Sequence, residues 1–142
     1  RSRGCQPEAA GVYLADTMGE LPLLFAAADV AFVGGSLVAT GGHNLLEPAA
    51  LGVPVVTGPH LFNFREIAGL LLDRGAALQV ASEAELGATV AALLGDPGRR
   101  ESMGESGRAA VAANRGARER ILGFAADLLP PPASESTSRK RA

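Results

Sequence analysis

"VAFVGGSLVATGGHNLLEPAALGVPVV", residues 30–56, decides the fold. It opens on an apolar run, Val30 to Gly34, which reads as a strand buried on both faces. A loop over 34–42 follows, with glycines at 34, 35, 41 and 42 and hydroxyls on Ser36 and Thr40. "NLLEPAALG" (44–52) reads as a short helix closed by Gly52, and "VPVVTG" (53–58) returns to an apolar run. Strand, glycine loop, helix and strand make one βαβ unit, with parallel strands and a right-handed crossover.

The alternation continues on both sides. Upstream, "VYLAD" (12–16) reads as a further strand and "MGELPLLFAAAD" (18–29) as a helix, with Leu21, Leu24, Phe25 and Ala28 at helical spacing. Asp16 or Thr17 is its expected cap, Glu20 falls in its first turn, and Pro22 is compatible only within that turn. Downstream, "FNFREIAGLLLDRG" (62–75) puts Phe64, Ile67, Ala68 and Leu71 on one face and ends on Gly75. "AALQV" (76–80) is the next strand. Ser82 and Glu85 form a capping box ahead of a helix that points Leu86, Val90, Leu93 and Leu94 inward. Asp96 and Pro97 restart the chain as another helix, and "ARERILGFAADLL" (117–129) reads as a last one. The fold class is α/β, a Rossmann-like parallel sheet with flanking helices. One domain covers 1–129, after an irregular opening over 1–11, and "PPPASESTSRKRA" (130–142) has the composition of a disordered tail. Its Arg139, Lys140 and Arg141 suit a solvated end better than a lipid contact.

Composition excludes several function classes. A length of 142 residues fits a single domain with a real core, and the net charge of −2 gives no general attraction to nucleic acid. The single cysteine, Cys5, excludes an internal disulfide framework and fits a reducing compartment. No apolar run reaches the ~20 residues that span a bilayer, and no signal peptide is present. The chain starts at Arg1 and reaches its first methionine at Met18, which reads as a fragment of a longer protein. Two histidines without cysteines or acids at ligand spacing argue against a metal site.

In open α/β sheets, ligands bind beyond the carboxyl ends of the strands, and "DTMGE" and "GGSLVATGGHN" both fall there. Each precedes a helix start, where free amides suit a phosphate, and glycines let backbone approach an anion. A P-loop needs Lys and then Ser or Thr after its last glycine, but His43 and Asn44 follow Gly42. The G-x-G-x-x-G dinucleotide fingerprint does not occur, which makes a dehydrogenase a poor fit. Glu47 lies one helical turn beyond His43 and can point into the same cleft, where a carboxylate suits the vicinal hydroxyls of a ribose. The bland alternative is a surface acid near a helix start.

"DTMGEL", "FVGGSL", "GGHN-LEPAALG" and "GPH-FNF" occur in an order and spacing that resembles the C-terminal domain of 3-deoxy-D-manno-octulosonic acid (Kdo) transferases, from about Val12 to Val80 and more loosely to Leu129. The resemblance implies a GT-B glycosyltransferase of lipopolysaccharide assembly. It passes Kdo from CMP-Kdo to a lipid A precursor with inversion, without a metal or other cofactor, at the cytoplasmic face of the bacterial inner membrane. It also implies that Met18, Gly19 and Glu20, and then Asn44, Leu45, Leu46 and Glu47, hold the CMP moiety. Gly41, Gly42, His43 and His60 are further candidates. The general base, a Pro-Arg segment on the nucleotide, the acceptor site and the membrane anchor belong to the family's N-terminal part. No catalytic residue is therefore expected in this chain, which alone should not catalyse transfer.

Other readings stay open at this level. His43 either donates to a ligand oxygen or braces the loop, His60 lines the cleft or shapes a turn, and Glu20 meets the donor or caps its helix. Arg65 and Glu66 are expected in solvent, and Asp29 at a helix end. The GT-B plan also places the last helix against the other half, and Ile121, Phe124, Ala125 and Leu128 form a stripe suited to that. Another GT-B enzyme using a UDP-sugar, and a non-catalytic α/β interaction module, are the rival functions.

Overall fold

The computed structural model describes residues 11–114. The expected helix over 117–129, the tail over 130–142 and Cys5 lie outside them. The chain divides into two compact units, Arg1–Ala112 and Ala113–Ala142. The elements in order are α1 (Leu21–Ala26), β1 (Ala31–Val33), α2 (Leu46–Leu51), β2 (Val55–Thr57), α3 (Arg65–Asp73), β3 (Ala77–Gln79), α4 (Glu83–Leu94) and α5 (Pro97–Asn114). All belong to the first unit except the last two residues of α5.

Three strands form a parallel sheet in the order β1-β2-β3, with Val33 opposite Thr57 and Thr57 opposite Gln79. Successive residues of β2 face opposite sides, and each side has its own core. Val55 joins Val33, Ala77, Leu45 and Ala49 with Ala68 and Leu71 of α3. Val56 joins Val80, Leu93 of α4 and Met103 of α5. Phe64, Ile67, Ala68 and Leu71 pack in the first core as their spacing requires. α3 ends in a Schellman motif: Gly75 takes φ +67, its N–H reaches Leu72 O at 3.0 Å, and the Ala76 N–H reaches Leu71 O at 2.8 Å. Ser82 caps α4 as expected, with Glu85 N–H donating to Ser82 Oγ at 3.2 Å, but the return bond of the box is shifted by one residue, the Glu85 carboxylate accepting from Ala81 N–H at 2.7 Å and not from Ser82 N–H.

Several local expectations need correction. Residues 12–16 do not form a strand. The run joins neither ladder of the sheet, and Val12 and Leu14 are exposed, so apolar character alone does not make a strand. The first helix covers 21–26 only, with Pro22 in its first turn. Neither Asp16 nor Thr17 caps it; Glu20 takes the N-cap position without a side-chain cap bond, and the Thr17 hydroxyl donates to the Glu20 carboxylate. No residue of α1 is fully buried, because its apolar face borders a cleft and not the core. On α4, Leu93 is buried but Leu94 is half in solvent, one helical step round from the stripe that meets the sheet. Asp29 does more than follow a helix, since its carboxylate pairs with Arg100 at 3.5 Å.

α5 holds α2 in place. Gly104 and Gly107 bring its backbone against Gly52 and Ala49, and Arg108 Nη1 donates to Leu51 O at 3.4 Å, at the carboxyl end of α2. Since α2 begins next to the glycine loop, this contact fixes where that loop's last residues stand.

Candidate functional site

The glycine loop owes its shape to bonds within itself. Ser36 is buried and donates to Val33 O at 2.5 Å while accepting from the Gly58 N–H at 2.8 Å, which ties the end of β1 to the end of β2. Thr40 Oγ1 donates to Gly35 O at 2.7 Å, and the Gly42 N–H donates to the same carbonyl at 2.9 Å. Gly35 sits at φ +69, and a Cβ there would meet His43 Nδ1 and Thr40 Oγ1 at 2.9 Å, so only glycine fits. The loop's hydroxyls and the Gly42 amide are thus spent on the loop. In full-length protein, Ser36→Ala strands the buried Gly58 N–H and should lower unfolding free energy by about 1–3 kcal/mol. An unchanged denaturant midpoint would show that the Ser36 bridge carries no such weight.

His43 braces the loop, with Nδ1 at 2.8 Å from Gly34 O. A carbonyl only accepts, so Nδ1 carries the hydrogen, and Nε2 remains as the ring's other polar atom. Asn44 opens α2 by accepting from the Leu46 N–H at 3.0 Å, while its Nδ2 donates to Glu47 Oε1 at 3.0 Å. One asparagine therefore starts the helix and orients the carboxylate. Glu47 stays exposed.

These residues border one cleft. His43, Asn44 and Glu47 form its polar end, Gly34 closes the tip of β1, and Leu21, Phe25 and Phe32 form apolar walls around about 400 Å³. An apolar slot with a carboxylate at one end has the size and chemistry for a nucleoside: a flat ring between the walls, hydroxyls on the acid. Leu21, Phe25 and Phe32 are not among the residues that the sequence motifs single out. Their signal was there in part, because Leu21 and Phe25 share a helical face and Phe32 alternates with the buried Ala31 and Val33.

The other candidates fall elsewhere. Met18 is exposed and Gly19, at φ +81, turns the chain into α1, which packs beside α2. Leu45 is fully buried, so only its backbone can face a ligand, and Leu46 is half-buried. Gly41 and Gly42 are buried beneath Asn63 and Leu61. His60 lines a separate groove beside α3. Arg65 and Glu66 are exposed. Among the described residues no group of three His, Cys, Asp or Glu could hold a metal ion, and no helix is long and apolar enough to cross a membrane.

Known proteins resemble this chain in sequence and fold. The family described as "Glycosyl transferases group 1" matches residues 7–110. The chain belongs to the group 1 glycosyl transferases. It is 49% identical to a 3-deoxy-D-manno-octulosonic acid transferase of Haemophilus influenzae over 84% of its own length and 27% of that protein's. A Bordetella pertussis protein of the same name is 46% identical over 83% of the chain and 28% of the relative. The chain thus spans about a quarter of these relatives. Among solved structures, it is similar to the C-terminal CMP-Kdo binding domain of WaaA from Acinetobacter baumannii, with a TM-score of 0.66 and 41% identity over 70% of this chain and 52% of that one. The Rossmann-like reading and the group of enzymes named by the resemblance agree with these matches.

Proposed function

We propose that this chain is the donor-binding domain of a Kdo transferase, holding CMP-Kdo for transfer of Kdo to a lipid A precursor. The observation that carries the reading is the cleft at the tip of β1, where Asn44 orients the Glu47 carboxylate beside apolar walls. Support comes from the 41% identity to a domain described as CMP-Kdo binding. Glu47 takes the ribose hydroxyls beside Asn44, and Met18, Gly19 and Glu20 before α1, with Leu45 (through its backbone) and Leu46 at the start of α2, complete the contacts with CMP from outside the lining of the cleft. His43 offers Nε2 at the same edge. Binding of this kind holds the leaving group still while an acceptor hydroxyl attacks the anomeric carbon, the bond from that carbon to the CMP phosphate breaks, and CMP departs. The base that takes the hydroxyl proton, the acceptor site and the attachment to the inner membrane belong to the rest of the full-length protein. The donor domain covers residues 1–129, with a tail over 130–142.

The test is transfer itself. Full-length protein given CMP-Kdo and a lipid A precursor should release CMP in step with the appearance of Kdo on the lipid. Release without a glycosylated lipid, or no release at all, would refute the assignment.

A further inference from the structure

The strand ends carry a second groove, of about 430 Å³, which the donor reading leaves unused. His60 and Phe62 come from the loop after β2, Arg65, Gly69 and Leu72 from α3, and Gln79 from the end of β3. No carboxylate lines it. Arg65 is exposed and has no ion-pair partner among the described residues. Gln79 Nε2 donates to Gly58 O at 3.4 Å, which leaves its second amide hydrogen for a ligand. Phe62 and Leu72 supply an apolar face beside these donors. Its side-chain chemistry is opposite to that of the first cleft, where Glu47 supplies a carboxylate. The groove therefore selects an anion that also has an apolar face. A sugar carrying a carboxylate has both, with ring C–H groups for Phe62 and an acid for the guanidinium fork of Arg65.

Placement joins the two sites. The first cleft lies at the end of β1, and the groove at the ends of β2 and β3. Neighbouring parallel strands are about 4.8 Å apart, so the sites stand side by side on one edge of the sheet. The glycine loop separates them: Gly34 borders the cleft, whereas Gly41 and Gly42 pack under Asn63 and Leu61, next to the groove. One ligand with a nucleotide half and an acidic-sugar half can span this wall.

We propose that the groove beside α3 is an anion-selective subsite for the carboxylate-bearing sugar half of the donor, with Arg65 binding the carboxylate. The assignment rests on the donor reading above. Gly69 offers a way to close the groove, because a Cβ built there meets nothing within 4 Å. A tryptophan at that position enters the groove and leaves the core alone.

The experiment compares Arg65→Gln and Gly69→Trp with the wild type in full-length protein. KM for CMP-Kdo, inhibition by CMP and KM for the lipid acceptor are measured together. Both variants should raise KM for CMP-Kdo at least tenfold, with CMP inhibition within twofold of wild type and acceptor KM unchanged. If KM for CMP-Kdo stays unchanged in Arg65→Gln, the subsite is refuted. A rise in acceptor KM alone would assign the anion to a phosphate of the acceptor and overturn the proposal. Equal loss of CMP and CMP-Kdo would place Arg65 on the nucleotide, again overturning it. Where Gly69→Trp fails to fold, the exposed Arg65→Gln decides. CMP that does not inhibit the wild type would instead sink the donor reading, a result distinct from all of these.

Discussion

Glu47→Ala in the full-length enzyme should lower kcat/KM for CMP-Kdo by on the order of 10- to 150-fold, with the melting temperature nearly unchanged. The carboxylate is exposed, so its loss leaves no buried group stranded. A charge-assisted bond to a ribose hydroxyl is worth about 1.5–3 kcal/mol, which sets that range. Glu47→Gln separates two contributions. A glutamine oxygen can still accept from Asn44 Nδ2, now 3.0 Å from Glu47 Oε1, so the local brace survives while the charge is lost. Its activity should fall between wild type and Glu47→Ala. Donor kinetics unchanged in both variants would leave Glu47 a surface acid held by Asn44.

Much of this site was legible in the sequence, and the reason is chemical. Glycines, a histidine, an asparagine and a glutamate packed between two apolar strands have few structural explanations, and the βαβ pattern places them at the strand ends. What each polar atom does was less legible. The hydroxyls of Ser36 and Thr40 look like ligand donors in a string of letters, yet Ser36 closes onto Val33 O at the end of β1 and Thr40 onto Gly35 O within the loop. His60 stood one strand further along the edge, and only the sheet order shows that it belongs to a different groove. Strand and helix ends were missed where pairing decides. "VYLAD" has the composition of a strand but joins no ladder, and Leu94 has the composition of a core residue but lies off the stripe that Leu93 defines.

A stability effect as large as that of Ser36→Ala is expected at a position that sequence alone would mark as a poor helix residue. Gly104 lies inside α5, where alanine is intrinsically favoured over glycine by about 1 kcal/mol. Its Cβ, however, would stand 2.2 Å from Gly52 O, a backbone atom at the end of α2. Backbone cannot rotate away as a side chain can, so α5 must lift off α2 or the helix must bend. Gly104→Ala should therefore cost about 1–3 kcal/mol net, a fall in melting temperature of roughly 5–15 °C. Gly69→Ala is the control on the same protein. Its Cβ meets nothing, so the same substitution within α3 should stabilise by about 0.5–1 kcal/mol. A Gly104→Ala variant that melts at or above wild type would contradict the packing of α5 on α2. Because α2 opens with the residues that face the cleft, Gly104→Ala should also loosen donor binding at temperatures where the fold persists.

As the donor site of a CMP-Kdo enzyme, the cleft at the tip of β1 should select a cytidine nucleotide. A UDP-sugar enzyme of the same family would use the same strand ends and the same kind of carboxylate, so the base is what separates the two. The direct measurement is calorimetric titration of the full-length protein with CMP and, under identical conditions, with UDP and UMP. Binding of CMP at least tenfold tighter than either uridine nucleotide is the predicted result. Tighter binding of UDP or UMP than of CMP would contradict it.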